Sequence, residues 1–258
     1  MTSKTKTEAQ HSLLKEKINI PGRKTYEEVF DKRTFLELYS LMKEGVIDII
    51  DYPISTGKEA KVFRGEQKDG TPIAVKIMRI NTAVFKEYKK YIEGDHRFKD
   101  TSKSGLKLIY AWTRKEFSNL RAMHDGGIKV PEPISFSKNI LIMEYLQHRD
   151  HPAPMLKDVD IDKEDMEYVS REILGYMDTL YNDLEMVHGD LSEFNVLISG
   201  GYPYLIDVSQ SVFLDHPQAE ELLKRDINNF VRYFKDNDVD ISEDDVIEKI
   251  GIEEKIEV

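Results

Sequence analysis

The chain has 258 residues, of which 40% are hydrophobic, 33% charged and 10% aromatic, a globular composition with enough length for one large or bilobed domain. It contains no cysteine, which excludes a disulfide framework, a thiolate zinc site and a cysteine nucleophile. The formal net charge of −11 argues against bulk electrostatic attraction to nucleic acid, although a local basic patch stays compatible with it.

The first stretch, residues 1–46, is predicted to be an arm followed by one helix. Residues 1–25 are polar and basic, without the apolar core of a signal peptide. No apolar run in the sequence approaches the roughly 20 residues of a membrane span. We therefore predict a cytoplasmic protein without membrane contact. From Asp31 onward apolar residues recur at helical spacing, and Gly45 is a helix stop signal.

Residues 47–146 are predicted to form a β-rich lobe. Three β-rich runs follow one another, and the second and third flank the turn Lys68-Asp69-Gly70, which is a hairpin signal. Residues 81–106 interrupt this pattern with many Lys, Asp and Ser, which predicts an inserted flexible loop. A helix is predicted at 107–124 and a short buried strand at 140–146.

Residues 147–258 are predicted to form a helical lobe. Apolar residues recur every three or four positions over 163–186, which predicts a long amphipathic helix. Gly200-Gly201 predicts a hairpin turn, and further helical segments are expected at 218–235 and 241–254.

The strongest chemical signal is the motif HGDLSEFN, followed in the next predicted strand by a second aspartate. Asp190, Asn195 and Asp207 together supply the oxygen groups that phosphoryl transfer needs. One carboxylate orients the acceptor hydroxyl, while the amide and the other carboxylate hold a divalent metal on the phosphates. Asp190 alone would be an ordinary turn residue, so the spacing of the three carries the argument.

A lysine in an apolar strand and a glutamate on an apolar helix face form a second candidate pair. Lys76 lies in the run AVKI, where an unpartnered cation would be costly to desolvate. Glu116 shares a helix face with Trp112, Leu120 and Met123. The pair would position ATP phosphates; the alternative is a strand lysine facing solvent and a glutamate at a solvated helix edge.

The segment STGKEA, between the first two β-rich runs, lies where a nucleotide loop should cover phosphates. It holds a single glycine, Gly57, and Lys58 is followed by Glu59, so it is not a Walker loop. Backbone amides, Ser55 and Lys58 could still bind a phosphate. Taken alone, the segment is more typical of an ordinary structural turn.

In combination, STGKEA, AVKI, HGDLSEFN and IDVSQS resemble the RIO atypical serine protein kinases of the Rio-one type, over residues 47–234. The resemblance implies a two-lobed protein-kinase-like α+β fold, with a β-rich N-lobe and a helical C-lobe, that lacks the activation loop and peptide-binding subdomain. It also implies ATP with Mg²⁺ or Mn²⁺ in the cleft, and a role in maturation of the small ribosomal subunit.

The resemblance assigns roles to individual residues. Asp190 is similar to the catalytic aspartate, and Asn195 and Asp207 to the metal ligands. Asp207 is also the residue on which a transient phosphate ester would form. The positions that correspond to nucleotide-binding residues are the phosphate loop, the lysine–glutamate pair and the hinge: Ser55, Thr56, Gly57, Lys58, Val62, Lys76, Glu116, Met143, Glu144 and Leu146.

Several departures from ordinary protein kinases are informative. HGD replaces HRD, and Ser192 stands where a catalytic-loop lysine is usual. Neither DFG nor APE occurs in the sequence. An ordinary peptide-substrate groove is therefore not expected. Within the 81–106 insertion, the hydroxyls of Thr101, Ser102 and Ser104 are candidate autophosphorylation sites; the alternative is a plain flexible insertion.

Three functions remain in competition at this point. The first is transfer of the ATP γ-phosphoryl group to serine of an unidentified protein substrate. The second is an ATPase-type assembly factor on pre-small-subunit ribosomal particles. The third, a small-molecule phosphotransferase of the aminoglycoside type, shares the HGD loop but not STGKEA or IDVSQS. A pure binding module has no need to keep the five polar site residues together.

Two further expectations concern contacts. RNA contact could come from the basic arm or from the lysine-rich insertion, although such clusters are usually solvated surface. Asp226, on a predicted helix, is expected either to tie down the catalytic-loop backbone or to form a surface ion pair with Arg225 or Lys224.

Overall fold

The computed structural model of the chain describes residues 30–80, 89–99 and 105–252. These residues fold into two compact units that alternate along the sequence. The first unit contains the described residues of 30–80, 105–114 and 133–145; the second contains 89–99, 115–132 and 146–252.

The helices in chain order are α1 (Lys32–Glu44), α2 (Lys89–Glu93), α3 (Gly105–Asp125), α4 (Lys163–Asn182), α5 (Ala219–Asp236) and α6 (Glu243–Ile250). The strands are β1 (Ile49–Thr56), β2 (Ala60–Glu66), β3 (Pro72–Met78), β4 (Pro133–Ser137), β5 (Ile140–Glu144), β6 (Gln147–His148), β7 (His151–Pro152), β8 (Met186–Val187), β9 (Val196–Ser199), β10 (Tyr202–Leu205) and β11 (Val212–Phe213). Short 3-10 turns lie at His96–Phe98, Leu156–Asp158 and Val208–Gln210.

The first unit is built on an antiparallel five-stranded sheet in the order β1-β2-β3-β5-β4. The predicted hairpin is confirmed: β2 pairs with β3 in continuous register, and Gly70 takes a positive φ of 83° in the turn. In this register Val62 lies opposite Lys76.

Helix α1 covers one face of this sheet. Asp31 caps it by accepting from the backbone N–H groups of Arg33 and Thr34, and Gly45 ends it in the left-handed conformation, as predicted. The helix buries its apolar stripe against alternate residues of the strands, which is how a one-faced helix and a sheet form a core. The shared core contains Phe35, Leu38, Leu41, Met42, Ile50, Phe63, Ile73, Val75 and Ile142.

The second unit is organised around α4. Its predicted apolar stripe is buried, including Met166, Val169, Ile173, Met177 and Leu180. The helix ends at Asn182, before the predicted position 186, because Met186–Val187 extends into β8 and pairs with β11.

The remaining predicted segments also have counterparts in the second unit. Gly200-Gly201 joins β9 to β10 as predicted, and α5 and α6 match the two last helical segments within a few residues. The segment after β5, expected to be a plain linker, contains the small antiparallel pair β6–β7. None of the helices in the described ranges is long and apolar enough to cross a membrane.

Part of the predicted flexible insertion is described. Residues 89–99 form α2 and a 3-10 turn, and they bury Tyr91, Ile92 and Phe98. Residues 81–88 and 100–104 lie outside the described residues, as does the predicted arm.

Gly175 in α4 offers a test of this helix. A Cβ added there meets no atom within 4 Å, and glycine in a helix interior is less favourable than alanine by about 1 kcal/mol. Gly175→Ala should therefore raise the midpoint of thermal unfolding. Gly70→Ala is the control, since its positive φ strains any Cβ although the space is open. Calorimetry that found Gly175→Ala destabilising would contradict the packing of α4.

Candidate active site

The catalytic loop leaves β8 and turns sharply at Gly189. This glycine has a φ of 80°, and a Cβ there would lie 2.8 Å from the backbone carbonyl oxygen of Gln210. The position therefore combines a left-handed backbone with a close approach of two segments, a combination that only glycine meets without strain. Asp190 follows directly and is thereby fixed relative to the segment that carries Gln210.

Asp226 anchors this loop from α5. Its carboxylate is 2% exposed and accepts the backbone N–H groups of Gly189 at 2.7 Å and Leu191 at 2.8 Å. Burial raises the pKa of Asp226 to about 7, while the two N–H donors act in the opposite direction. The first of the two expectations for Asp226 is thus confirmed; Lys224 pairs with Glu220 instead.

The Asp190 carboxylate is oriented by three neighbours. Asn195 Nδ2 donates to Oδ2 at 3.0 Å, and Gln210 Nε2 donates to the same oxygen at 3.2 Å. The Arg225 guanidinium lies 3.5 Å from Oδ1 and also donates to the carbonyl of Gly189. Sequence reasoning missed Gln210, although it belongs to the IDVSQS motif, and considered Arg225 only as a partner of Asp226.

Asn195 and Asp207 fit a magnesium ion. The Asn195 amide nitrogen donates to the carbonyl and carboxylate of Asp190, which directs its oxygen, Oδ1, away as a ligand atom. Asp207 has a left-handed backbone with φ 59°, and the Ile206 N–H donates to the Asn195 carbonyl at 2.9 Å. Magnesium takes oxygen ligands, commonly one or two protein groups completed by phosphate oxygens and water. The donor set is therefore suitable.

His188, the first residue of the HGD motif, has a structural role. It is 1% exposed, and burial lowers its pKa to about 4, so the imidazole is neutral at pH 7. Its backbone carbonyl accepts from Ser211 Oγ at 2.7 Å. The catalytic loop and the segment after Asp207 are thus tied together next to the candidate metal ligands.

The first unit carries most of the predicted nucleotide-binding residues. Ser55, Thr56, Gly57 and Lys58 are exposed at the turn from β1 to β2, which the Gly57 N–H closes by donating to the Ala60 carbonyl at 2.9 Å. Lys76 is buried on β3, opposite Leu141 of β5, so the alternative of a strand lysine that faces solvent is excluded. Met143 and Glu144 lie on β5 and Val62 on β2.

The second unit contains the other predicted site residues. Glu116 is 1% exposed on α3, on the same buried face as Leu120 and Met123, as its spacing predicted. Leu146 is buried just after β5. Asp190 contacts Asn195, Gln210 and Arg225 directly, and the backbone bond from Ile206 to Asn195 ties the segment that carries Asp207 to this group.

A catalytic-loop aspartate, an asparagine five residues later and an aspartate after the next hairpin are the arrangement of protein-kinase-like phosphotransferases. A family model for the RIO domain matches residues 61–246, well over half of the chain. The chain belongs to the RIO family of ATP-dependent serine/threonine-protein kinases. The predicted resemblance to the Rio-one type is confirmed.

Curated relatives from archaea match most of the chain. The RIO-type serine/threonine-protein kinase Rio1 of Haloferax volcanii is 40% identical over 226 residues, covering 87% of this chain and 77% of that protein. Rio1 of Methanocaldococcus jannaschii is also 40% identical, over 92% of this chain and 81% of its own length. Human RIO1 is 39% identical over 82% of this chain, but the match spans only 38% of the longer human protein.

Solved structures confirm the kinase-like α+β fold. The Rio2 kinase of Chaetomium thermophilum superimposes with a TM-score of 0.67 over 97% of this chain and 77% of that chain, at 23% identity. A second structure of that enzyme, described as an ADP/Mg²⁺-phosphoaspartate complex, gives a TM-score of 0.65 over 86% of this chain and 67% of that chain.

Gly189→Ala should both destabilise the protein and impair phosphoryl transfer. Left-handed strain costs about 1–2 kcal/mol, and the clash with the Gln210 carbonyl adds to it. Gly201→Ala is the matched control, because it has a similar φ of 83° but no atom within 4 Å of the added Cβ. The unfolding temperature and the rate of ATP turnover should both fall further in Gly189→Ala than in Gly201→Ala. Equal effects would show that the close approach at Gly189 is unimportant.

Proposed function

We propose that this protein transfers the γ-phosphoryl group of ATP to a serine hydroxyl of a protein substrate. The observation that carries the proposal is the Asp190 carboxylate, oriented by Asn195, Gln210 and Arg225 and linked through Asn195 to the segment that carries Asp207. Membership in a family of serine/threonine-protein kinases supports the same reaction.

Asp190 is the proposed catalytic base. Its carboxylate accepts a hydrogen bond from the serine hydroxyl, aims the oxygen at the γ-phosphorus and takes the proton as the new P–O bond forms. The donors on Oδ2 come from Asn195 and Gln210, and they fix the carboxylate in one orientation before the substrate arrives. Such preorganisation reduces the reorganisation needed in the transition state.

The nucleotide would be held by residues whose places on the strands, helices and turns are described above. Lys76, with Glu116 as its proposed partner, would contact the α- and β-phosphates, and Ser55–Lys58 would cover them. Backbone groups of Glu144 and Leu146 would bind adenine, next to Met143 and Val62. Asn195 and Asp207 would hold Mg²⁺ or Mn²⁺, which neutralises charge on the phosphates when bound.

A nucleotide switch is the second candidate. In it the Asp207 carboxylate attacks the γ-phosphorus, ADP departs, and water later hydrolyses the acyl phosphate to free phosphate and the carboxylate. The phosphoaspartate named for the Chaetomium thermophilum Rio2 complex favours this candidate. The protein would then act as an ATPase-type factor that binds and leaves a larger particle.

For the cellular role we propose maturation of the small ribosomal subunit in the cytoplasm, with pre-ribosomal particles as partner. The family resemblance supports this role. RNA contact through the insertion would have to use residues other than Arg97, because its guanidinium is already paired with the buried carboxylate of Asp95 and packs over Phe213.

Asp190→Ala should abolish phosphate transfer and leave nucleotide binding largely intact, because the carboxylate contacts the acceptor and not the nucleotide in the proposed reaction. The purified protein is incubated with γ-labelled ATP and Mg²⁺ or Mn²⁺, and protein-bound label and free phosphate are followed together. Asp183→Ala, an exposed aspartate after α4, is the control and should keep full activity. Full activity in Asp190→Ala would refute the assignment.

The same assay separates the two candidates. Acid-stable label on serine that disappears in Asp190→Ala identifies a protein kinase. Free phosphate with acid-labile protein label, lost in Asp207→Asn, identifies the switch, because an acyl phosphate hydrolyses where a serine ester survives.

Autophosphorylation is proposed within residues 81–106, with Thr101, Ser102 and Ser104 as candidates outside the described residues. Peptide mapping after incubation with ATP should place phosphate in this stretch, and the Asp190→Ala protein should carry none. Phosphate found only outside residues 81–106 would contradict the proposal.

A further inference from the structure

A fully buried lysine holds the chain just after Asp207. Lys115 on α3 has no exposed surface, and its ammonium donates to the backbone carbonyls of Ser209 at 2.9 Å and Ser211. Both carbonyls belong to the short turn that starts at Asp207. The contact spans more than 90 residues of sequence, so it fixes α3 to this turn directly.

Asn119, one helical turn further along α3, completes the same contact. It is also fully buried, and its Nδ2 donates to the carbonyls of Val208 at 2.7 Å and Ser211 at 3.1 Å. Lys115 and Asn119 therefore donate to three backbone carbonyls of one short segment, and these carbonyls lie away from water. Side chains four residues apart share a helix face, which explains how one helix reaches all three.

An outer layer fixes the orientation of the Asn119 amide. Arg97 donates to Asn119 Oδ1 at 2.9 Å, so the amide nitrogen must face the carbonyls of the turn. The Arg97 guanidinium is itself held by three hydrogen bonds to the buried carboxylate of Asp95 and lies 4.6 Å from the centre of the Phe213 ring. The described part of the insertion thus supports the same turn.

Burying the Lys115 ammonium is expensive, and this cost indicates what the residue is for. Burial, with a smaller contribution from the nearby Arg97, lowers the pKa of Lys115 to about 7, although Asp95 and Glu116 act in the opposite direction. An apolar side chain of similar length would fill the space without this cost. What it could not do is donate to the carbonyls of Ser209 and Ser211.

The turn held in this way sets the direction of the Asp207 side chain. Asp207 adopts a left-handed backbone, a conformation that aspartate takes more readily than most residues because its short side chain can hydrogen-bond locally. The chain on its C-terminal side is fixed by Lys115 and Asn119, and on its N-terminal side the Ile206 N–H is fixed by Asn195. These bonds fix the direction of the Asp207 Cα–Cβ bond, and the Ser209 hydroxyl of the same turn donates to Asp207 Oδ1 at 3.3 Å, which holds the carboxylate itself.

We infer that Lys115 and Asn119 are positioning residues for the metal ligand Asp207, and that they raise the affinity of the nucleotide complex for a divalent ion without touching that ion. The inference rests on the metal role given to Asp207 under the proposed function. Partners that orient a metal ligand typically contribute about 10–100-fold in metal affinity.

Lys115→Met tests the inference, because methionine keeps an unbranched chain of similar length and removes the donors together with the positive charge, whose loss alone would favour a bound cation. The affinity of the complex with a non-hydrolysable ATP analogue for Mn²⁺ is measured by electron paramagnetic resonance, in wild type and in each variant. We expect about tenfold weaker Mn²⁺ binding in Lys115→Met, together with a lower unfolding temperature, because the buried Ser209 carbonyl loses this donor. Lys115→Gln retains an N–H donor and should fall between wild type and the methionine variant.

Tyr176→Phe is the matched control, since it removes one buried hydrogen bond to the carbonyl of Pro203 in the same unit, away from Asp207. It should lower the unfolding temperature and leave Mn²⁺ affinity as in wild type. If Lys115→Met does not fold, Lys115→Gln carries the test alone. Wild-type Mn²⁺ affinity in the folded Lys115 variants, whatever their stability, would overturn the inference.

Asp207→Asn separates this result from a failure of the proposed function. If Asp207→Asn binds Mn²⁺ as tightly as wild type, Asp207 is not a metal ligand, and the proposed function loses its metal site along with the inference. If Asp207→Asn weakens binding while the Lys115 variants do not, only the positioning role is refuted.

Discussion

The candidate site depends first on one buried carboxylate. Asp226 accepts the two backbone N–H groups that the catalytic loop would otherwise leave unpaired at Gly189 and Leu191. A buried N–H without a partner costs about 1–3 kcal/mol, so this contact decides where the loop can lie. The neighbouring residue on α5, Arg225, donates to the Gly189 carbonyl. Two successive side chains of one helix thus satisfy donors and an acceptor of the same turn.

Hydrogen bonds of backbone groups connect the loop that Asp226 anchors to the segment that carries the second aspartate, Asp207. Ser211 donates to the His188 carbonyl, and the Ile206 N–H donates to Asn195. Gln210 joins the same two segments through the Asp190 carboxylate. Because two of these three links use main-chain groups, the relative position of the two segments follows largely from the fold.

The sequence predicted what local spacing can show. The β2–β3 hairpin, the stripe of α4 and the grouping of Asp190 with Asn195 and Asp207 all depend on residues close in sequence or on a motif of fixed spacing. Lys115 and Asn119 could not be found in this way, because their partners lie some 90 residues away. A polar residue on an amphipathic helix has the same pattern whether it faces water or a buried carbonyl. Helix α2 is too short to show a period.

Ser192 stands where a catalytic-loop lysine is usual, and the structure shows which other residue places a cation next to Asp190. Asp190 still has a cation beside it, but the cation is Arg225, which comes from α5 and lies 3.5 Å from the carboxylate. Since Asp226 locks this part of α5 onto the loop, the guanidinium has a defined position although its side chain is partly exposed. Because this cation comes from α5, the catalytic loop itself does not have to supply one. The Asp190 carboxylate therefore takes its orientation from Asn195 and Gln210 and its neighbouring positive charge from α5.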